Sequence, residues 1–161
     1  MQKSPWTHVF MVTGQNELVE ADTFVGVRTY PMVSRMQELV SSGRSYIVLE
    51  PTMDLATRRK MASNARELVG RGYNYYSALQ WTLTGNLHHI PGDRLTCGEL
   101  IARSLLGCGR PLFTPVSVYG LPEKQQVRLL NNWATPTDIL LYSTLTVCSQ
   151  HLSRGKTYPL R

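Results

Sequence analysis

The spacing of apolar positions divides the chain into a strand-rich first third, a helical middle and one closing strand. Trp6 to Val12 and Glu17 to Asp22 alternate in a way that predicts two strands, separated by Thr13-Gly14-Gln15-Asn16, four residues common in turns. Pairing them about Gly14 sets Phe10 opposite Leu18, Val9 opposite Val19 and His8 opposite Glu20. Directly opposed residues carry their Cβ atoms about 4.5–5.5 Å apart on one face, so this register makes His8 and Glu20 neighbours. A slip of one residue would send them to opposite faces, and it would also break the match of apolar with apolar between the strands. Gly26 to Met32 reads as a third strand, Ser34 to Ser42 as one turn of helix, and Tyr46 to Glu50 as a short interior strand.

Beyond residue 50 the period lengthens. From Asp54 to Val69 the residues Leu55, Met61, Ala62, Ala65, Leu68 and Val69 fall on one helical face, with Arg58, Arg59, Lys60 and Arg66 mostly on the wet face. Gly70 and Gly72 end that helix, and an aromatic cluster, Tyr73-Asn74-Tyr75-Tyr76, opens another that runs to about Leu83. Thr84 to Asp93 is a predicted loop. It leads into Leu95-Thr96-Cys97-Gly98-Glu99-Leu100-Ile101-Ala102, where Thr96 and Glu99 have the spacing of a capping box and Cys97 becomes the first helical residue. Pro122 opens a helix through Leu130, Thr135-Pro136-Thr137-Asp138 opens a short one, and Leu145 to Ser149 closes as a strand. No repeat, low-complexity tract or linker interrupts the pattern, so residues 1–161 are expected to form one domain, with Arg154 to Arg161 as a frayed tail.

Composition narrows the class. An apolar fraction of 42% over 161 residues is enough for a sizeable core. The net charge of +6 is spread along the chain, with Arg58-Arg59-Lys60 its only dense run; this suits loose attraction to anionic polymers, and no aromatic-interleaved basic stretch points to nucleic-acid readout. Three cysteines without a CxxC pair describe neither a disulfide framework nor a zinc ribbon, and a reducing compartment is the expectation. Met1 to His8 holds one lysine and no apolar core, and no run approaches the ~18 apolar residues of a membrane span. Synthesis in the cytoplasm without a signal peptide is therefore expected, with any target in the periplasm or cell wall reached through a delivery apparatus or a phage particle.

The candidate chemistry centres on Cys97. A thiol in the first turn of a helix feels the positive end of the helix dipole and the unpaired N–H groups there, and both favour thiolate. A nucleophile of this kind needs a base and a group that orients the base, and His8 beside Glu20 supplies that pair. Tyr73 or Tyr75 could wall a cleft or donate a hydroxyl to a developing oxyanion, although aromatics so dense also serve packing. His88-His89, Cys108 and His151 have no metal-ligand spacing, so neither metal nor cofactor is expected; Cys108, at a helix stop, reads as structural.

The order of these pieces, a histidine strand, an acid on the next strand and a late cysteine at a helix start, resembles the circularly permuted papain-like cysteine hydrolases of the NlpC superfamily. The branch is the one containing YiiX-like proteins and, more distantly, the lecithin retinol acyltransferases. The matching stretches are Thr7-His8-Val9-Phe10-Met11-Val12, Leu18-Val19-Glu20-Ala21, Gly72-Tyr73-Asn74-Tyr75, Thr96-Cys97-Gly98-Glu99-Leu100-Ile101 and Thr135-Pro136-Thr137-Asp138. Two positions depart from the family's habit: Gly98 stands where serine is frequent, and Asn74 where an aspartate follows the tyrosine. The resemblance implies an α+β fold with a small antiparallel sheet packed on the cysteine helix. It implies Cys97 as nucleophile, His8 as general base and acid, Glu20 as the residue orienting His8, and the N–H groups at Cys97 and Gly98 beside the oxyanion. The reaction so implied is amide cleavage through a thioester, commonly in cell-wall peptides. A lipid acyl hydrolase or acyltransferase of the same fold, and a non-catalytic binding or virion protein on this scaffold, are the alternatives.

Overall fold

The computed structural model of the protein describes residues 8–84, 93–130, 134–143 and 145–151. It is a mixed α+β structure. Three strands, β1 (Phe10–Gly14), β2 (Glu17–Asp22) and β3 (Gly26–Tyr30), form an antiparallel sheet in chain order. Helix α1 (Met32–Ser41) follows, then β4 (Tyr46–Pro51), α2 (Leu55–Glu67), α3 (Tyr75–Thr84), α4 (Cys97–Leu106), α5 (Glu123–Leu130) and α6 (Pro136–Tyr142). The last strand, β5 (Leu145–His151), returns to pair antiparallel with β4 in a separate two-stranded sheet. The predicted frayed tail and the His88-His89 pair lie outside the described residues.

The first hairpin differs from its predicted register by two residues. Phe10, not His8, lies opposite Glu20, Met11 opposite Val19 and Val12 opposite Leu18, because the strands continue through Thr13 and Gly14 and the turn is only Gln15-Asn16. Thr13 donates its hydroxyl to Glu17 at 2.6 Å, and Arg66 of α2 donates to the Thr13 carbonyl and to Glu17 Oε1, each at 2.6 Å, which pins the ladder out to its end. A two-residue slip preserves the face of every side chain, so His8 and Glu20 still share a side.

The core lies between one face of the three-stranded sheet and helices α2 and α4. Met11, Val19, Ala21 and Val27 project from the strands into Met61 and Ala65 of α2 and Leu100, Ile101, Ala102 and Leu105 of α4. Leu55 and Val69, placed on the buried face of α2 by periodicity, are exposed, because only the middle of that helix meets the sheet. Strand β4 is not interior: among the described residues it pairs with β5 alone, and Val48 is exposed.

Helix α1, predicted as a single turn, has ten residues and buries none of them. Its attachment is polar. Pro31 at its N-cap offers no side-chain acceptor, and Asn16 of the first hairpin turn serves instead, accepting from the Met32 N–H through its carbonyl at 3.3 Å and from the Val33 N–H through Oδ1 at 3.0 Å. This places α1 beside the sheet face opposite the core.

Two glycines are set by close backbone approach. Gly26 has φ +82° and a Cβ there would meet the Arg71 carbonyl at 2.3 Å, while Val27 donates to that same carbonyl at 2.7 Å. A Cβ on Gly98 would stand 2.0 Å from the Ala134 carbonyl oxygen, so the start of α4 and the residue before the α6 cap touch through backbone alone. Gly98→Ala forces these segments apart and is expected to cost about 1–3 kcal/mol. Thermal unfolding should then shift down by roughly 3–10 °C, and an unchanged midpoint would show that the contact is slack.

Candidate active site

The capping box at the start of α4 is complete. Thr96 Oγ1 accepts from the Glu99 N–H at 3.3 Å, and Glu99 Oε2 accepts from the Thr96 N–H at 2.7 Å. Both side chains are buried, so the reciprocal bonds sit in a low-dielectric setting that rigidifies them. Cys97 is the first residue of the helix and is 6% exposed. Just upstream, Leu95 bridges to Tyr73 in parallel fashion: the Leu95 N–H donates to the Gly72 carbonyl at 2.9 Å and the Asn74 N–H to the Leu95 carbonyl at 3.1 Å. The segment carrying Tyr73 and the cysteine are thereby held side by side.

His8 precedes β1 and is not bound into its ladder. Its Nε2 lies 2.8 Å from Glu20 Oε2. Burial pulls the imidazole pKa down, but the interactions of the ring with the Cys97 side chain and with Glu20 outweigh it, and the ring is pushed up to about 9. The three residues singled out from the sequence therefore meet in one cluster, in the order sulfur, imidazole, carboxylate.

Glu20 has a neighbour that the sequence did not point to. It is fully buried, and Arg35 of α1 donates through Nη2 to Glu20 Oε2 at 3.3 Å. The same nitrogen is 3.1 Å from Oε1, near enough for charge attraction but off the N–H direction, so Oε1 has no hydrogen bond among the described residues. Arg35 is itself held by Glu38 at 2.6 Å and by the Tyr30 ring, whose centroid lies 5.6 Å from the guanidinium carbon. A buried carboxylate calls for a counter-charge, and that requirement is the signal that a search of the neighbouring helix could have used.

Tyr73 is half-buried beside the cluster. Its phenol is pushed up to about 12, first by burial and then by the Cys97 charge, while a hydrogen bond with the Thr23 side chain acts the other way. Tyr75 packs edge-on against it at 5.4 Å and is itself exposed, as are Phe24, Tyr76 and Leu79. Asn74 is buried and accepts from the Ser77 N–H through Oδ1 at 3.2 Å, capping α3; an amide does this as well as a carboxylate. Cys108 lies apart from the cluster, accepting from Asn64 Nδ2 at 3.3 Å and near the Ser104 and Thr57 carbonyls, where it joins α4 to α2. No grouping of three or more metal-ligating side chains occurs among the described residues.

The chain matches no family model, no curated protein and no solved structure. Its site is read from its own geometry.

Because the His8 pKa rises from 6.5 to about 9 on folding, the protonated ring stabilises the fold. That contribution is fully present below pH 6.5 and is lost as pH rises through 9. Thermal midpoints should accordingly fall between pH 6.5 and 9.5, and Glu20→Gln, which removes one of the groups raising the ring's pKa, should flatten the decline; equal slopes in the two proteins would contradict the assignment.

Proposed function

We propose that the protein is a cysteine hydrolase of the amidase or peptidase type, built on a circularly permuted papain-like scaffold. The observation that carries this reading is the His8 ring bonded to buried Glu20 at 2.8 Å, with the Cys97 side chain near enough to favour its protonated form. In this reading the Cys97 thiolate attacks the carbonyl carbon of an amide and forms a C–S bond. The tetrahedral oxyanion collapses, the C–N bond breaks, and the imidazolium hands its proton to the leaving amine. Water, deprotonated by the now neutral His8, then hydrolyses the thioester, which releases a carboxylic acid and restores the thiol. Glu20 holds the ring in place and favours its protonated form, and the N–H groups of Cys97 and Gly98, in the first turn of α4, are donors for the oxyanion. Tyr73 and Tyr75 border the acyl side.

Cell-wall peptides are the proposed substrate class, and the charge of +6 favours residence on anionic wall material. A route from the cytoplasm to that wall, by a delivery apparatus or a phage particle, is part of the proposal. A second reading, an acyl hydrolase acting on lipid, is favoured by one observation: Phe24, Tyr75, Tyr76 and Leu79 expose apolar surface on the segments that carry Thr23 and Tyr73.

Purified peptidoglycan incubated with the protein should release stem-peptide fragments detectable by mass spectrometry, and Cys97→Ala should release none. Glu20→Gln should lose about a hundred- to ten-thousand-fold in rate. Phospholipid vesicles run in parallel decide between acceptors, since fatty-acid release without peptide release would favour the lipid reading. Iodoacetamide separates both from an inert scaffold. Modification of Cys97 that persists well below pH 8 and is slowed in His8→Ala supports an activated thiolate, whereas titration near the free-thiol value of about 8.5 removes the hydrolase proposal.

A further inference from the structure

We propose that Arg35 is a positioning residue of this site: from α1 it holds the buried Glu20 carboxylate ionised and oriented toward His8, and so sets the pH range over which Cys97 is reactive. The inference rests on the hydrolase reading for its consequence but on independent geometry for its cause. Glu20 is fully buried on the sheet face opposite the core, its Oε2 shared between His8 at 2.8 Å and Arg35 at 3.3 Å. A carboxylate in that setting with a single partner would tend to take up a proton, and a protonated acid would no longer favour the imidazolium. The guanidinium prevents this, its Nη2 standing close to both oxygens of the carboxylate.

The helix that brings Arg35 has no other evident reason to lie where it does. None of its residues is fully buried, and its ties to the sheet among the described residues are the Asn16 cap and the contacts of Arg35 with Glu20 and the Tyr30 ring. Arg35 is only 16% exposed, while Glu38, its second carboxylate, is 65% exposed and therefore screened by water. The other charged or titratable groups around the pair are Arg28, directly across the ladder from Glu20, Tyr30 under the guanidinium, Asp22 near Tyr30, and His8 with Cys97 beyond it. Among these Arg28 is exposed on the strand, which leaves Arg35 as the one permanently charged cation in contact with the acid among the described residues, beside the titratable His8.

Loss of the guanidinium lets Glu20 take up a proton, which removes a group that favours the imidazolium, so the sign of the test is fixed. In Arg35→Gln the His8 ring titration followed by NMR should move to lower pH, and the midpoint of Cys97 alkylation by iodoacetamide to higher pH as the thiolate loses its imidazolium partner, each by about half a unit or more, roughly a threefold change in proton affinity. Arg35→Lys, which keeps the charge, should restore most of the shift. Arg35→Met, which keeps much of the side-chain volume without the charge, should shift the two titrations in the same directions as Arg35→Gln; it decides the matter should Arg35→Gln fail to fold. Midpoints that stay in place in a folded Arg35→Gln protein, or a shift just as large in a Glu20→Gln background, would overturn the proposal. If wild-type Cys97 titrates as an ordinary thiol, the hydrolase reading fails, and the His8 titration alone still decides whether Arg35 acts through Glu20.

Discussion

A carboxylate with no solvent exposure is the constraint on which this structure turns. Taking an isolated charge out of water costs several kcal/mol, and the interior returns that only where geometry is good on more than one side. Glu20 meets the condition with an imidazole from the residues ahead of β1 and a guanidinium from the helix after β3. The position of α1, which contributes nothing to the core, and the path of the chain before β1 both follow from this need. Glu20 sits in the central strand, where the ladder on each side fixes its backbone, so both partners come to the acid.

The other half of the site is built by close packing of backbone. The core residues Leu100, Ile101 and Leu105 seat α4 on the sheet, but they do not by themselves place the first turn. That is done by the Leu95 bridge to Gly72, the buried capping box, and the Ala134 carbonyl against Gly98. The last contact explains why position 98 is a glycine. A serine at position 98 would bring a Cβ into the Ala134 oxygen, so glycine here follows from the route of the chain into α6, whose own capping box joins Thr135 to Asp138. The N–H groups of the turn are unaffected by this, since they belong to the main chain.

What was legible in the sequence was what is local. The Thr96–Glu99 and Thr135–Asp138 boxes are signals of four residues, and both helices start where those signals place them. The sharing of a face by His8 and Glu20 survived a register error, because a strand repeats every two residues and the error was two; the cause was a turn tightened to Gln15-Asn16 by contacts from Arg66, forty-nine residues after Glu17. Arg35 was hidden for the opposite reason. Its function as a counter-charge depends on α1 crossing the outer face of the sheet, and periodicity says nothing about that placement when the helix buries no residue. Leu55 and Val69 show the same limit on α2: the pattern identifies a face but not how much of its length is covered.

Seen as a series, Cys97, His8, Glu20, Arg35 and Glu38 alternate in the sign they carry or can acquire, and from Glu20 onward they run from the interior to the surface. Exposure along the second half rises from nil at Glu20 to 16% at Arg35 and 65% at Glu38. Coulomb interactions strengthen as water is excluded, so each inner contact weighs more than the one outside it. Such a gradient gives the inner groups a stable electrostatic setting that salt and surface substitutions disturb little. It also means that a single event at the outer end, the departure of α1 from the sheet, would remove the innermost acid's cation and admit water to it together. The helix that would perform this task has no fully buried residue, so in this proposal the acid's setting depends on the docking of a surface element through one guanidinium.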